Sequence, residues 1–221
     1  MDSKFTPSVF EAQIYAFWES QGLFCAKVDK KKKPFSIILP PPNANGSLHL
    51  GHAMFTYEDI LIRFNKMQGK ETLWLLGLDH AGTETQFVFE KQLKKQGKSR
   101  YDFKRDVLYQ MIWDYVAENK NNIKVQLKRL GYALDWTHEK FTMDPAIVKI
   151  VYKTFKNLFN KGLAYRANRL VNYCTNCGTS FSDFEVVYKE RIDPLYYIKY
   201  GPFILATVRP ETKFGDTAVA V

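Results

Sequence analysis

Two apolar runs, residues 35–39 and 72–76, flank a triple proline, a tight polar loop and an amphipathic segment. No other feature constrains the chain as much. An apolar run of this length suits a buried strand, and Pro40, Pro41 and Pro42 stop it because none can donate to a ladder. The segment after Ser47 carries Leu48, Tyr57, Ile60, Leu61 and Phe64 on one broad apolar face, which predicts a helix closed by Gln68-Gly69-Lys70. Residues 35–76 thus predict one βαβ unit, right-handed by rule. Ligands in such sheets bind beyond the carboxyl ends of the strands. The proline loop and Asp79-His80 both lie at such ends and are expected to face one pocket.

Strand, tight polar loop and helix start is the layout that aims backbone amides at phosphate. Ser47 suits the N-cap of that helix. His49 and His52, three apart, are expected on the same face near its positive end. Gly51 between them leaves no side chain to bar a flat ring from the backbone. The pair suits the negative charge of a triphosphate under attack, stabilised by hydrogen bonding rather than proton removal. Half a metal site and plain surface histidines are the alternatives; no acidic ligand follows in a zincin pattern. Asp79 has two uses on residue chemistry alone: pairing with a substrate ammonium, or capping a helix.

At 221 residues the chain holds one large domain, or one domain and part of another. Hydrophobic residues at 46% and aromatics at 15% supply a core and exclude disorder. Lys plus Arg exceed Asp plus Glu, 32 to 23, so a polyanionic partner fits. Part of that excess is the lysine run 30–33, read as solvating a loop. The amino terminus lacks the apolar centre of a signal peptide, and no segment approaches about 18 apolar residues. With three cysteines and no disulfide framework, a cytoplasmic protein without a membrane partner is expected.

Further along, a short helix is expected over 9–22, with Phe10, Ile14, Phe17 and Trp18 on one side. Residues 83–131 are mostly helical, including a continuous segment over 103–130 whose Lys120, Lys124, Lys128 and Arg129 form a solvated face. Another helix starts at Pro145 and runs to 161. Short β-like runs follow at 170–173, 184–188, 195–200 and 203–208. The expected fold class is α/β, a parallel sheet with flanking helices followed by a β-rich segment. Cys174 and Cys177, spaced Cys-x-x-Cys, match a zinc knuckle; a redox pair would instead sit near a thioredoxin-like helix start.

The loop Pro40-Pro41-Pro42-Asn43-Ala44-Asn45-Gly46-Ser47-Leu48-His49-Leu50-Gly51-His52-Ala53 resembles the nucleotide-binding signature of class I aminoacyl-tRNA synthetases, which ends in His-x-Gly-His. Gly77-Leu78-Asp79-His80-Ala81-Gly82 is similar to a segment of the valyl branch. So are Tyr15-Ala16-Phe17-Trp18-Glu19, Leu134-Asp135-Trp136, Phe141-Thr142-Met143-Asp144, Leu170-Val171-Asn172-Tyr173-Cys174 and Ala206-Thr207-Val208-Arg209-Pro210-Glu211-Thr212. The resemblance implies the first half of a Rossmann-like catalytic domain over 1–165, a zinc-knuckle-like connection over 166–192 and the start of a β-rich editing insertion over 193–221.

By the same resemblance, Pro42, Asn43, Asn45, Gly46, Ser47, His49, Gly51 and His52 meet ATP, which enters with Mg2+. Pro41, Asn43 and Asp79 form the valine site, the aspartate holding the amino group. Thr207, Arg209, Glu211 and Asp216 belong to the editing pocket for mischarged threonine, with Val208 where the family usually has a second threonine. Arg209 has two readings, the terminal nucleotide of the tRNA or a pair with Glu211. Cys174 and Cys177 are half of a zinc site whose second Cys-x-x-Cys lies far downstream in the members that bind it. The implied partners are L-valine, ATP and tRNA(Val), and the implied full-length enzyme is a monomer. Because the family's Lys-Met-Ser-Lys-Ser loop is missing, the chain reads as an amino-terminal piece, expected to be inactive alone. A non-catalytic nucleotide- or tRNA-binding paralogue, or another His-x-Gly-His nucleotidyltransferase, are the alternatives.

Overall fold

The computed structural model describes residues 6–220. The chain divides into two compact units, Met1–Arg166 and Ala167–Val221.

The first unit is built on a parallel sheet in the order β1-β2-β3, formed by β1 (Pro34–Ile38), β2 (Glu71–Leu78) and β3 (Asp135–Phe141). Around it run α1 (Pro7–Ser20), α2 (Phe55–Met67), α3 (Gly82–Lys95), α4 (Arg105–Arg129) and α5 (Pro145–Asn160). The βαβ unit expected over 35–76 is present, with β1 and β2 in parallel register from Pro34↔Glu71 to Ile38↔Leu75. On β2 alternate residues are buried, Thr72, Trp74, Leu76 and Leu78 among them. Trp74, Leu76 and Leu78 join Leu39, Phe55, Ile62, Val116, Ile123, Leu127 and Leu134 in one core, drawn from β1's end, α2, α4 and the approach to β3. Each such aliphatic side chain contributes about 1.5–3 kcal/mol by leaving water.

The inward stripe of α2 is not the one its apolar residues predict. Tyr57, Ile60, Leu61 and Phe64 are exposed, while Phe55, Ile62 and Asn65 are buried. The reason is that the polar groups on the inner side all find partners. Glu58 accepts from Trp74 Nε1 at 2.9 Å, and Asp59 accepts from the backbone N–H of Ala133 at 2.8 Å. Asn65 donates to the Leu61 carbonyl and accepts from Lys70 Nζ. Partnered polar groups bury without penalty, so polarity alone selects the wrong stripe.

Two further expectations change. On α1 the buried residue is Tyr15, whose hydroxyl donates to the Tyr132 carbonyl at 2.8 Å and accepts from Trp136 Nε1. Phe10, Ile14 and Phe17 of the expected cluster are exposed, and Trp18 packs edge-on to Tyr15 and Phe24. Strand β3 has no counterpart in the sequence reading, because only its two ends, Asp135 and Phe141, are buried.

Asp135 is a fully buried carboxylate with four donors: the backbone N–H of Ala26, the N–H and hydroxyl of Thr137, and His138 Nδ1 at 2.8 Å. Burial pushes its carboxyl up, but these hydrogen bonds together outweigh it and hold the group below its ordinary value. A depressed folded-state value stabilises the fold above the unfolded carboxylate pKa, about 3.9, and that stabilisation is lost as pH falls through the folded value. Asp135→Ala, which removes the shared acceptor of these donors, should cost about 1–3 kcal/mol in urea denaturation at neutral pH, with a smaller deficit below pH ~4. A variant as stable as the parent would overturn this account of β3.

The second unit contains two antiparallel hairpins. One pairs β4 (Asn172–Cys174) with β5 (Thr179–Phe181), the other β6 (Tyr196–Tyr200) with β7 (Phe203–Thr207). None of its described residues is fully buried. The β-like run expected over 184–188 is not a strand; Ser182 caps a 3-10 turn over Asp183–Glu185 through both its backbone and its hydroxyl.

Candidate functional site

The loop after β1 is stitched to the end of β2. Leu39 donates to the Leu75 carbonyl, the Asp79 N–H to Pro42 O at 3.0 Å and the Ala44 N–H to Asp79 O at 2.7 Å. Asn43 and Asp79 thereby form a parallel bridge beyond the named strands. The prolines lack N–H donors, so the seam draws on the Pro42 carbonyl and on donors from its neighbours. Gly77 lets the loop approach closely: a Cβ there would lie 3.3 Å from Pro41 Cβ and push it back by a few tenths of an ångström.

Helix α4 holds the loop from the side. Tyr115 donates its hydroxyl to the Asn45 carbonyl at 2.6 Å, Asn122 Nδ2 donates to Ser47 Oγ at 3.1 Å, and Gln126 Oε1 accepts from Leu48 N at 2.8 Å. These three residues share one helix face. Ser47 is therefore not the N-cap: its hydroxyl is taken by Asn122, and His49 caps instead. The α-helix expected from Ser47 begins as a 3-10 turn over Leu50–Met54 and becomes α-helical at Phe55.

The two signature histidines lock each other. The His49 N–H donates to His52 Nδ1 at 3.0 Å, and the Gly51 N–H donates to His49 Nδ1 at 3.1 Å. His52 Nδ1 also lies 3.2 Å from the His49 carbonyl, which already accepts from the His52 N–H at 2.9 Å. Backbone N–H groups only donate, so both Nδ1 atoms are assigned as acceptors and both rings carry their proton on Nε2. The ring centroids are 4.1 Å apart. Gly51 is required, because a Cβ would sit 2.8 Å from His49 Cε1. Partial burial, the larger cause, pulls the His52 pKa below its ordinary value, which keeps the ring neutral at pH 7.

A cleft of about 410 Å³ gathers most of the expected nucleotide and valine residues: Pro41, Pro42, Asn43, Asn45, Gly46, Ser47, His49, Gly51 and His52. Asn45 carries a buried side-chain N–H group with no partner among the described residues, a donor left free beside the cleft. Asp79 stands across the seam from Asn43, and its Oδ1 accepts from the Thr142 hydroxyl at 2.9 Å. The same hydroxyl accepts from the His80 N–H at 3.0 Å, so Thr142 fixes both residues. Beyond them Ala81 adopts a left-handed conformation, φ 58°, and the chain enters α3. Glu84, in the first turn of α3, lines the cleft and accepts from Asn43 Nδ2 at 2.8 Å. Sequence reading missed Glu84 as a site residue and the α4 residues as loop holders. For the latter, the common face of Tyr115, Asn122 and Gln126 was the only available signal.

In the second unit Cys174 and Cys177 bracket the turn between β4 and β5, both reduced and partly exposed. Backbone N–H groups of Cys177 and Asn176 point at the Cys174 sulfur and lower its thiol pKa, an arrangement that favours a thiolate. Such a turn fits half of a zinc tetrahedron, and no group of three or more His, Cys, Asp or Glu side chains able to hold a metal occurs among the described residues. Thr207 Oγ1 accepts from the Arg209 N–H, Arg209 Nε pairs with Glu211 at 3.2 Å in the open, and Asp216 accepts from the Tyr200 hydroxyl.

The parallel sheet thus carries the His49-Leu50-Gly51-His52 turn beyond one strand end and Asp79 at the end of the next. The profile of the tRNA synthetases class I (I, L, M and V) matches residues 13–206, and the chain belongs to that family. Within it, the chain is 44% identical over 230 residues to valine-tRNA ligase of Aquifex aeolicus, covering 99% of this chain and 20% of that protein. To valine-tRNA ligase of Clostridium acetobutylicum it is 45% identical, covering 100% and 26%. The chain thus spans about a fifth to a quarter of these curated relatives. The fold matches LeuRS of Agrobacterium radiobacter K84, solved as a ternary complex with tRNA and LeuAMS, at a TM-score of 0.68 and 22% identity over 83% of this chain and 22% of that one. Among the described residues no helix is long and apolar enough to cross a membrane.

Proposed function

We propose that this chain supplies the ATP- and amino-acid-binding half of a valine-tRNA ligase. The observation that carries the reading is the seam that joins the His49/His52 turn to Asp79 at the ends of two adjacent strands. In the reaction a carboxylate oxygen of valine attacks the α-phosphorus of ATP. The bond from that phosphorus to the bridging oxygen breaks, and pyrophosphate leaves from valyl-adenylate. The rings of His49 and His52 present Nε2–H donors to the charge that develops on the phosphate oxygens, and no proton need move. Mg2+ enters with ATP. Asp79, held by Thr142, takes the valine ammonium, and Pro41 with Asn43 shapes the pocket around it. The valyl group then passes to tRNA(Val).

The remaining assignments belong to the same proposal. Thr207, Arg209, Glu211 and Asp216 begin an editing pocket for mischarged threonine, a task set by the limit that a hydrophobic pocket rejects an isosteric hydroxyl by only about a hundredfold. Cys174 and Cys177 hold half of a structural zinc site. The test of the whole reading is valine-dependent exchange of labelled pyrophosphate into ATP by the intact protein. Exchange with valine and none with leucine or methionine is expected; exchange independent of valine would overturn it.

A further inference from the structure

The cleft is electrostatically divided. One end presents donors: His49 and His52 through Nε2–H, and the Asn45 amide, which has no partner among the described residues. The other carries the Glu84 carboxylate and Asn43, with Asp79 across the backbone bridge from Asn43. Phosphate suits the first end and a cation the second.

Asn43 is the hinge of this arrangement. Its side chain has one donor end and one acceptor end, and which end faces a ligand decides what it binds. A carboxylate only accepts, so the 2.8 Å bond to Glu84 must use the Asn43 N–H group. That leaves Oδ1 as the atom free for a ligand. Asp79 is treated alike, with Oδ1 tied to Thr142 and no donor to Oδ2 among the described residues. We propose that Glu84 is a positioning residue that fixes the Asn43 amide so that its oxygen, beside Asp79, accepts from the α-ammonium of the amino acid. Glu84 itself touches no reacting atom. The first turn of α3 is a favourable place for its charge, since the positive end of the helix dipole lies there.

This inference rests on the proposed amino-acid activation, and the test separates the two. In the intact enzyme, Glu84→Ala frees the Asn43 amide to turn either way, whereas Glu84→Gln keeps an acceptor oxygen for it. L-Valinol, which has the amine but no carboxylate to activate, reads the amine site without turnover. Its Kd, by calorimetry, should rise about tenfold in Glu84→Ala and within threefold in Glu84→Gln. The KM for valine should follow while the KM for ATP stays within twofold. An unchanged valinol Kd in Glu84→Ala, or a KM for ATP that rises as much as that for valine, overturns the positioning role. A parent enzyme without valine-dependent exchange would instead overturn the proposed function.

Discussion

Alanine in place of His52 should slow valyl-adenylate formation by the intact enzyme about 10²–10³-fold, the loss typical when one oriented donor to a developing oxyanion is removed. The KM for valine should hardly change, because the proposed role of the ring is toward the phosphates. The variant also removes the acceptor for the His49 N–H, so His49 loses one side of its lock. Single-turnover measurement of adenylate formation checks the rate free of product release, and an unchanged rate would end the role given to His52. A pH series adds a second reading. Protonation of His52 Nδ1 abolishes its acceptor role, and its pKa is depressed by burial. The parent rate should hold as pH falls through the ordinary imidazole value, near 6.5, and drop only below it.

Asp79→Ala should fail differently. It removes the countercharge for the ammonium and strands the Thr142 hydroxyl. Loss of one partner from a desolvated charge pair costs about 3–5 kcal/mol, about 10²–10⁴-fold in kcat/KM for valine. ATP binding measured without amino acid should be nearly unaffected. Asp79→Asn keeps an oxygen for Thr142 and loses only the charge, so it should recover folding stability but not valine recognition. Retained valine affinity in both variants would move the amine site elsewhere.

What was readable in the sequence follows from what local patterns encode. Prolines next to an apolar run announce the end of a strand whatever lies around them, so β1, its loop and β2 were legible, as were the limits of α4 and α5. The loop residues that line the cleft were legible because glycine, histidine and asparagine occur there at a spacing that little else requires. Burial of polar groups was not. Glu58, Asp59 and Asn65 turn inward because Trp74, Ala133 and Lys70 meet them, and those partners come from other elements. Strand β3 escaped for the same reason, its buried Asp135 being served by Ala26 from a distant loop. Glu84 and Thr142 matter only through the side chains they hold, a relation that sequence distance conceals.

The seam between Asn43 and Asp79 has a thermodynamic consequence. Two hydrogen bonds, 2.7 and 3.0 Å long, tie the loop proposed to face phosphate to the strand end proposed to face the amine, which couples their order. A ligand that stills one side lowers the entropic cost of binding at the other. Such coupling is reciprocal: by whatever factor ATP tightens valine, valine must tighten ATP by the same factor. Substrate synergy in this enzyme would then reside in the backbone, and side-chain substitutions on either ligand's wall should leave it largely intact.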